Sequence, residues 1–254
     1  MLMQNASLFL RILIKQMGNN SKSKYQEATL EIVQAYHPLL QTIMFTSEFP
    51  RPLKEMTSPN WLKHLLTLEG EAERPLGELP PKEEIFKMYR SLLRWGGFKP
   101  SGRSKPAAEY LVKAATAGEL NSINAAVDVL NSVSLHVGLP IGVIDLDLCK
   151  PPLHIDLGKE NESYVFNKSG QEMSLKGLIV MRDQEGPCAN PVKDSQRTKT
   201  NDETRRTLTI VWGNRECLAP ALMAVRWQKE LLVKLGAKVE DVNTVFAAAP
   251  EILS

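Results

Sequence analysis

The stretch AVDVLNSVSLHVGLPIGVIDLD, residues 126–147, decides the fold. Its first half is an apolar segment in which two polar residues, Asp128 and Asn131, lie three positions apart. Gly138 then marks a turn, because glycine adopts positive φ angles without strain. The apolar run that follows predicts a strand over 139–146. The centre of this chain is therefore an apolar segment, followed by a tight turn and a strand.

Outward from this centre, helical patterns flank a region of strands. Helical spacing of apolar residues predicts helices at 61–68, 83–95, from Pro106 onward and at 217–235. Short runs rich in β-branched and aromatic residues predict strands at 38–46, 154–157, 164–166, 175–182 and 207–212. Because the elements do not alternate as βαβ units, we expect an α+β fold with a mixed β-sheet core flanked by helices.

Composition limits the classes of function. A net charge of +2 on 254 residues argues against binding of nucleic acid by the whole surface but allows a local basic patch. The three cysteines are scattered and form no C-x-x-C pair, so we predict neither a disulfide framework nor a zinc site. This cysteine usage fits a reducing cytoplasm best. We expect no metal and no cofactor. The apolar run Leu8–Ile14 is too short to span a membrane.

A Pro-, Gly- and Glu-rich connector at 70–84 suggests how the chain is divided. We expect residues 1–16 to be an extension outside the fold and residues 17–81 to be a segment packed on the main domain. The main domain would cover 82–235, including the last helix, and 236–254 would be a C-terminal tail.

Lys99, Arg103 and Lys105 lie in a turn-rich loop without an acidic residue, directly before the helix that starts near Pro106. Cations and a helix N-terminus together favour an anion, although a solvated loop would have the same composition. The pattern G-x-x-x-x-G-R-S at 97–104 differs from a P-loop, since arginine replaces the phosphate-binding lysine and a helix is predicted before it. We therefore do not expect nucleotide hydrolysis.

Three separated segments together resemble the B3/B4 domain of the phenylalanyl-tRNA synthetase beta subunit. The domain's pattern is roughly V-D-x-x-N, a glycine and proline, and a strand ending in Asp, as in residues 126–147. TNDETRRTLTI at 200–210 is similar to the end of that domain, and GFKPSGRSKPAAEYL at 97–111 is similar to its free-standing relatives. The resemblance covers about residues 82–213, and it implies the fold of that editing domain.

In the synthetase, this domain hydrolyses the ester of tRNA charged with tyrosine by mistake. Such editing is needed because an apolar pocket rejects an isostere with one extra hydroxyl only weakly. The ester is already activated, so the reaction needs a held water and donors for the oxyanion, without a metal or a covalent nucleophile.

This sequence departs from the family pattern at two positions. A family histidine falls near Gly142, and a family carboxylate falls at Gln196. The segment KDSQRTKT at 193–200 offers replacements: a carboxylate, a cation and a hydroxyl. The resemblance thus implies catalytic roles for Asp194 and Thr198 and a substrate pocket formed by Asn131, Ser134, Gly142, Gln196 and Arg197.

The expected function is binding of the tRNA acceptor end, with hydrolysis of a wrong aminoacyl ester in trans and with Lys99, Arg103 and Lys105 on RNA phosphates. The alternative is an RNA- or small-ligand-binding module that lost the chemistry, and a third option is hydrolysis of a small ester or amide. We expect neither DNA nor a membrane as a partner. A complete synthetase is not expected at this length.

Simpler structural roles remain open for several of these residues. Asp128 and Asn131 would also serve to cap a helix or to tie down a turn. Asp145 and Asp147 on one strand end lack the further oxygen ligands that Ca²⁺ needs, so a structural role is expected there. A small buried side chain is the expected role of Cys188.

Overall fold

The computed structural model describes residues 30–75 and 77–249, so the predicted extension at 1–16 lies outside the described residues. Its helices are α1 (Asn60–Leu65), α2 (Lys82–Arg94), α3 (Ala107–Thr116), α4 (Ala125–Val137) and α5 (Ala219–Lys234). Its strands are β1 (Glu31–Gln34), β2 (Leu40–Glu48), β3 (Ile141–Asp145), β4 (Leu153–Leu157), β5 (Ser163–Val165), β6 (Glu172–Ser174), β7 (Ile179–Asp183), β8 (Gly186–Ala189), β9 (Arg206–Asn214), β10 (Lys238–Asp241) and β11 (Asn243–Phe246).

These strands form two main sheets and a small hairpin. One sheet has the order β10-β2-β9-β3 and is antiparallel throughout. The other has the order β11-β1-β4-β7-β8, with parallel pairs at β11-β1-β4 and antiparallel pairs beyond. β5 and β6 pair separately. The α+β class with mixed strand directions is confirmed.

The four-stranded sheet is the middle layer of the fold, because apolar side chains on both of its faces are buried. Successive side chains of a strand point to opposite faces, and both faces here are buried. On β9, Val211 packs against the helices, whereas Ile210 and Trp212 pack toward the five-stranded sheet. The layers are therefore helices α4 and α5, the four-stranded sheet and the five-stranded sheet.

The predicted central segment is a helix followed by a strand. Asn124 caps α4, accepting a 3.0 Å bond from Val127 N–H, and Gly138 ends it with a φ of +88°. Nearly every residue of α4 is buried, polar ones included, which fits a helix enclosed on most sides. The chain then enters β3, which lies at the edge of its sheet.

The structure differs from the predicted domain division at both ends. β2, placed in the N-terminal segment, pairs with β9 over nine positions inside the four-stranded sheet. Residues 238–246, placed in a tail, form β10 and β11, and these add an edge strand to each main sheet. Short edge strands of this kind carry little periodic signal, so the sequence pattern does not reveal them.

A close backbone contact attaches the basic loop to the rest of the fold. Gly96, just after α2, faces Gly177, and a Cβ on Gly177 would lie 2.0 Å from the Gly96 carbonyl oxygen. Gly177 also has a φ of +67°. Both positions therefore require glycine, and the contact fixes where the loop at 97–105 begins.

Candidate functional site

A cleft of about 1110 Å³ opens beside the edge strand β3. Its walls come from the start of α4, from β3, and from loops near residues 53–58 and 167–168, while the segment 193–202 crosses it. The polar and charged residues that line it are Lys54, Thr57, Ser58, Lys63, Ser122, Asn124, Asn131, Asn167, Lys168, Lys193, Asp194, Gln196, Lys199, Thr200, Asn201 and Asp202. This size suits a ligand as large as a nucleoside ester.

Asp128 fixes the wall formed by the start of α4. Its buried carboxylate accepts hydrogen bonds from Ser58 Oγ at 2.5 Å, from Ser122 Oγ, and from Ile123 N–H at 2.7 Å. The Asn124 side chain also donates to Thr200 Oγ1 at 3.2 Å. Asp128 thus has the structural role that the sequence left open, while Asn131, one turn further, lines the cleft.

The segment that crosses the cleft is shaped by Asn190. Its side-chain oxygen accepts from Val192 N–H at 2.7 Å and from Lys193 N–H at 2.9 Å, which closes a tight turn after β8. Further along, the Asp145 N–H donates to the Thr198 carbonyl at 2.8 Å, so the segment pairs with the end of β3. Asp194 is therefore held against the middle of β3.

Asp194 lies against the backbone of Gly142. A Cβ at residue 142 would be 3.2 and 3.4 Å from the two carboxylate oxygens. Burial raises the pKa of Asp194 to about 7, although the Lys199 ammonium and the backbone amides of Asn190 and Val143 oppose the shift. A carboxyl group with a pKa near neutrality can both accept and return a proton at physiological pH.

Two lysines of the same segment are partly buried near this carboxyl group. Burial lowers the pKa of Lys199, whereas Asp194 acts to raise it and Lys193 to lower it. Burial also lowers the pKa of Lys193, with Arg103 acting in the same direction. The Lys193 ammonium lies 4.1 Å from the centre of the Phe166 ring, a cation–π geometry.

The charge around the cleft is positive. Five lysines line it: Lys54, Lys63, Lys168, Lys193 and Lys199. The carboxylates in the lining are Asp194 and Asp202, and Lys54 pairs with the neighbouring Glu203 at 2.5 Å. An excess of cations in a concave site attracts an anionic ligand.

The predicted pocket residues separate into two groups. Asn131, Asp194 and Gln196 line the cleft, and Gly142 lies directly behind Asp194. Ser134 is fully buried, and its hydroxyl donates to the Leu139 carbonyl at 2.7 Å. Ser134 therefore stabilises the turn between α4 and β3 and does not contact a ligand in the cleft.

Arg197 and Thr198 also have structural roles, which corrects the sequence-based expectation for both. The Arg197 guanidinium binds the Asp183 carboxylate through two hydrogen bonds of 2.8 and 2.9 Å and reaches Glu185 at 3.2 Å. The Thr198 hydroxyl is fully buried and donates to the Cys188 carbonyl at 2.9 Å. Neither side chain lines the cleft.

The basic loop adjoins the cleft where the loop ends and α3 begins. Ala107 lines the cleft, and its N–H donates to the Pro191 carbonyl at 3.0 Å. Arg103 is exposed and close enough to Lys193 to act on its pKa. Lys105 is 3.9 Å from Glu109, and the exposed Lys99 lines a separate shallow pocket with Arg94.

Within residues 30–75 and 77–249, no group of three or more His, Cys, Asp or Glu side chains is placed to hold a metal ion. Across the same residues no helix has both the length and the apolar character needed to cross a membrane.

No pattern in the sequence points to the lysines of the cleft. Lys193 and Lys199 belong to the segment 193–200, but their exposure to a cleft depends on the turn at Asn190. Lys54, Lys63 and Lys168 come from three separate segments, and no spacing pattern connects them. The group exists only in the folded protein, where these distant segments come together around the cleft.

The central part of this chain is similar to known proteins. Residues 99–215 match the family model of the B3/4 domain. The phenylalanine–tRNA ligase beta subunit of Bartonella quintana is 31% identical over 100 residues, which is 38% of this chain and 12% of that protein. The Pseudomonas putida beta subunit is 28% identical over 109 residues, 42% of this chain and 14% of that protein.

Among solved structures, an N-terminal fragment of the phenylalanyl-tRNA synthetase beta subunit from Pyrococcus horikoshii has a TM-score of 0.48 and 15% sequence identity. It covers 91% of this chain and 56% of the fragment. The chain spans only about an eighth of the length of the curated relatives it matches. The predicted resemblance to the B3/B4 domain of the beta subunit is confirmed by the family model and by these relatives.

Proposed function

We propose that the cleft binds the acceptor end of an aminoacylated tRNA and hydrolyses a wrong aminoacyl ester, because residues 99–215 match the B3/4 domain model and are similar to part of a phenylalanine–tRNA ligase beta subunit. The observation that carries the proposal is Asp194, a carboxyl group with a pKa of about 7 inside a cleft lined by lysines. The ligase named by the relatives acts on tRNA, and the resemblance links this domain to that substrate.

The chemistry needs a base and a positive charge near the ester. Asp194 takes a proton from a water molecule as the water oxygen attacks the ester carbonyl carbon. The bond between that carbon and the ribose oxygen then breaks, and the proton is returned to the ribose oxygen as free amino acid and tRNA are released. The Lys199 ammonium, partly desolvated beside Asp194, stabilises the negative charge that develops on the carbonyl oxygen.

Binding of the RNA is assigned to the cations at the cleft and beside it. The backbone phosphates of the acceptor end would contact Lys63, Lys168 and Lys193 in the cleft and Lys99, Arg103 and Lys105 in the basic loop. Each phosphate contact releases a bound counterion, so affinity falls as salt rises. The same surface does not favour a small neutral ester, because such a substrate gains nothing from these charges.

A second function is supported by a specific observation. Arg197 and Thr198, which the sequence offered as replacements for missing family groups, are both engaged in the fold, and Gly142 has no side chain where the family has histidine. A domain that retained the cleft and lost the reaction would have these features. The alternative is therefore a module that binds an RNA end without hydrolysis.

A deacylation screen separates the two functions. The protein is mixed with a panel of tRNAs carrying correct and incorrect amino acids, including tyrosine on the phenylalanine tRNA, and loss of each ester is followed. Asp194→Asn tests the base, and Asp202→Asn in the same cleft is the matched control. Selective ester loss that only Asp194→Asn abolishes supports editing. Binding of tRNA without ester loss across the panel leaves the binding module.

A further inference from the structure

The backbone of Gly142 is surrounded by polar atoms. The three nearest heavy atoms to the position of a Cβ at this residue are Asp194 Oδ1 at 3.2 Å, Asp194 Oδ2 at 3.4 Å and Trp212 Nε1 at 3.6 Å. A carboxylate and an indole N–H thus converge on one corner of the fold. Gly142 points away from the cleft-lining Ile141 and Val143, because neighbouring residues of a strand face opposite sides.

Trp212 supplies a hydrogen-bond donor that has no protein partner. Its side chain is fully buried on β9, and its Nε1 has no hydrogen-bond partner among the described residues. Buried indole N–H groups are normally paired, since an unpaired donor costs about 1–3 kcal/mol. The position of this donor next to Gly142 therefore indicates a small polar ligand.

Asp194 supplies the matching acceptor. Of its hydrogen bonds with backbone groups, the one from Asn190 N–H is long, at 3.4 Å, although an ionised carboxylate can accept about four. A water molecule can accept from the indole N–H and donate to the carboxylate at once. Its two polar partners here meet the usual need of a buried water for at least two hydrogen bonds.

We propose that a water molecule binds in the corner formed by Gly142, Asp194 and Trp212, and that Trp212 acts through it as a positioning residue for Asp194. This water lies behind the Asp194 carboxylate, on the face of β3 opposite to the cleft-lining Ile141 and Val143, and it is not the attacking water. Its position explains why residue 142 lacks a side chain: a Cβ there would reduce the space that the water needs. The catalytic part of the inference rests on the proposed function, whereas the water site does not.

Substitution of Trp212→Phe tests the site, because it keeps the ring and removes the N–H. A crystal structure at high resolution should show the water in the parent protein and its loss in the variant. Titration of the Asp194 carboxyl carbon by NMR should show a rise of about half a pH unit, since the charged form loses a donor. Lys199 and Tyr164 are the other titratable groups acting on or near this carboxyl, and both stay unchanged. Trp227→Phe, a buried tryptophan on α5, is the matched control.

Two substitutions at residue 142 give an independent test. Gly142→Ala should displace the water and raise the Asp194 pKa as Trp212→Phe does, whereas Gly142→Ser should partly restore the lower value through its hydroxyl. If the protein hydrolyses aminoacyl esters, Trp212→Phe should lower kcat about twofold at pH 7, because a smaller fraction of Asp194 is ionised there, with KM unchanged.

A direct Trp212–Asp194 hydrogen bond without a water, or an Asp194 pKa that is the same in all variants, would overturn the inference. Absence of ester hydrolysis would instead affect only the proposed function, because the structure and the titration do not depend on activity.

Discussion

The basic loop at 97–105 and the cleft segment at 193–200 are both rich in cations, but their cations differ in exposure to solvent. Lys99 and Arg103 in the loop are exposed. In the cleft segment, Arg197 forms an ion pair with the buried Asp183, and Lys199 is partly buried beside Asp194. Exposed cations attract an anion from a distance, whereas desolvated ones act strongly on a bound group. Under the proposed function, this difference gives the loop a role in RNA affinity and the segment a role in the chemistry.

The largest effect is expected for Asp194→Asn in the cleft segment. Loss of a general base reduces the rate of ester hydrolysis by about 100-fold or more, while RNA affinity changes by less than about twofold. The rate of the parent protein should rise with pH through about 7, as Asp194 loses its proton. Deacylation kinetics from pH 5.5 to 8.5 check both expectations, and a flat pH profile would contradict the role of Asp194.

The second effect concerns stability, through Arg197→Ala. This change leaves the buried Asp183 carboxylate without its partner and should cost about 2–4 kcal/mol of the free energy of unfolding. Burial disfavours the charged Asp183, but Arg197 and the Lys150 and Glu185 amides outweigh it and lower its pKa. The stabilisation is therefore present above about pH 4, the value for the unfolded chain, and is lost as pH falls further.

Urea denaturation at pH 7 and pH 3.5 measures this loss. Arg206→Ala is the matched control, because Arg206 pairs with Asp147 at the surface, where both side chains are about half exposed. Its cost should stay below about 1 kcal/mol. Equal costs for the two variants would show that Arg197 contributes no more than a surface ion pair.

A smaller effect is expected in the basic loop, where Arg103→Ala combined with Lys105→Ala should weaken tRNA binding about tenfold at low salt. Two lost phosphate contacts should also flatten the slope of log affinity against log salt by about 1.4. Filter binding between 50 and 300 mM salt measures both quantities. Lys176→Ala with Arg226→Ala removes two exposed cations outside the cleft lining, and an equal loss there would contradict a specific role of the loop.

A further effect concerns the stability of Asp194→Asn. The folded protein holds the proton of Asp194 up to about pH 7, whereas the unfolded chain loses it near pH 4. The folded state thus binds more protons in this interval, and stability contributed by the group falls as pH rises through it. Asp194→Asn should therefore melt higher than the parent at pH 8, with the gap closing toward pH 4.5. Thermal melts at both pH values check the sign.

Sequence patterns predicted the long elements because local periodicity is strong there. The strand β2, the helices α2 and α5, and the strand β3 after its turn all lie close to their predicted positions. The short strands at 31–34 and 238–246 were missed, since each gains its partners from the other end of the chain. Of the predicted site residues, Asn131, Asp194 and Gln196 line the cleft, whereas Ser134, Arg197 and Thr198 do not.

The sequence by itself determined the α+β class, the apolar segment, turn and strand at the centre, and the resemblance to a B3/4 domain, because these depend on residues that are near each other along the chain. Only the tertiary structure decided which polar groups face the cleft. Arg197 and Lys199 are two residues apart, yet one binds Asp183 and the other approaches Asp194. Burial and partner choice arise from packing between distant segments, and the order of residue types does not specify them.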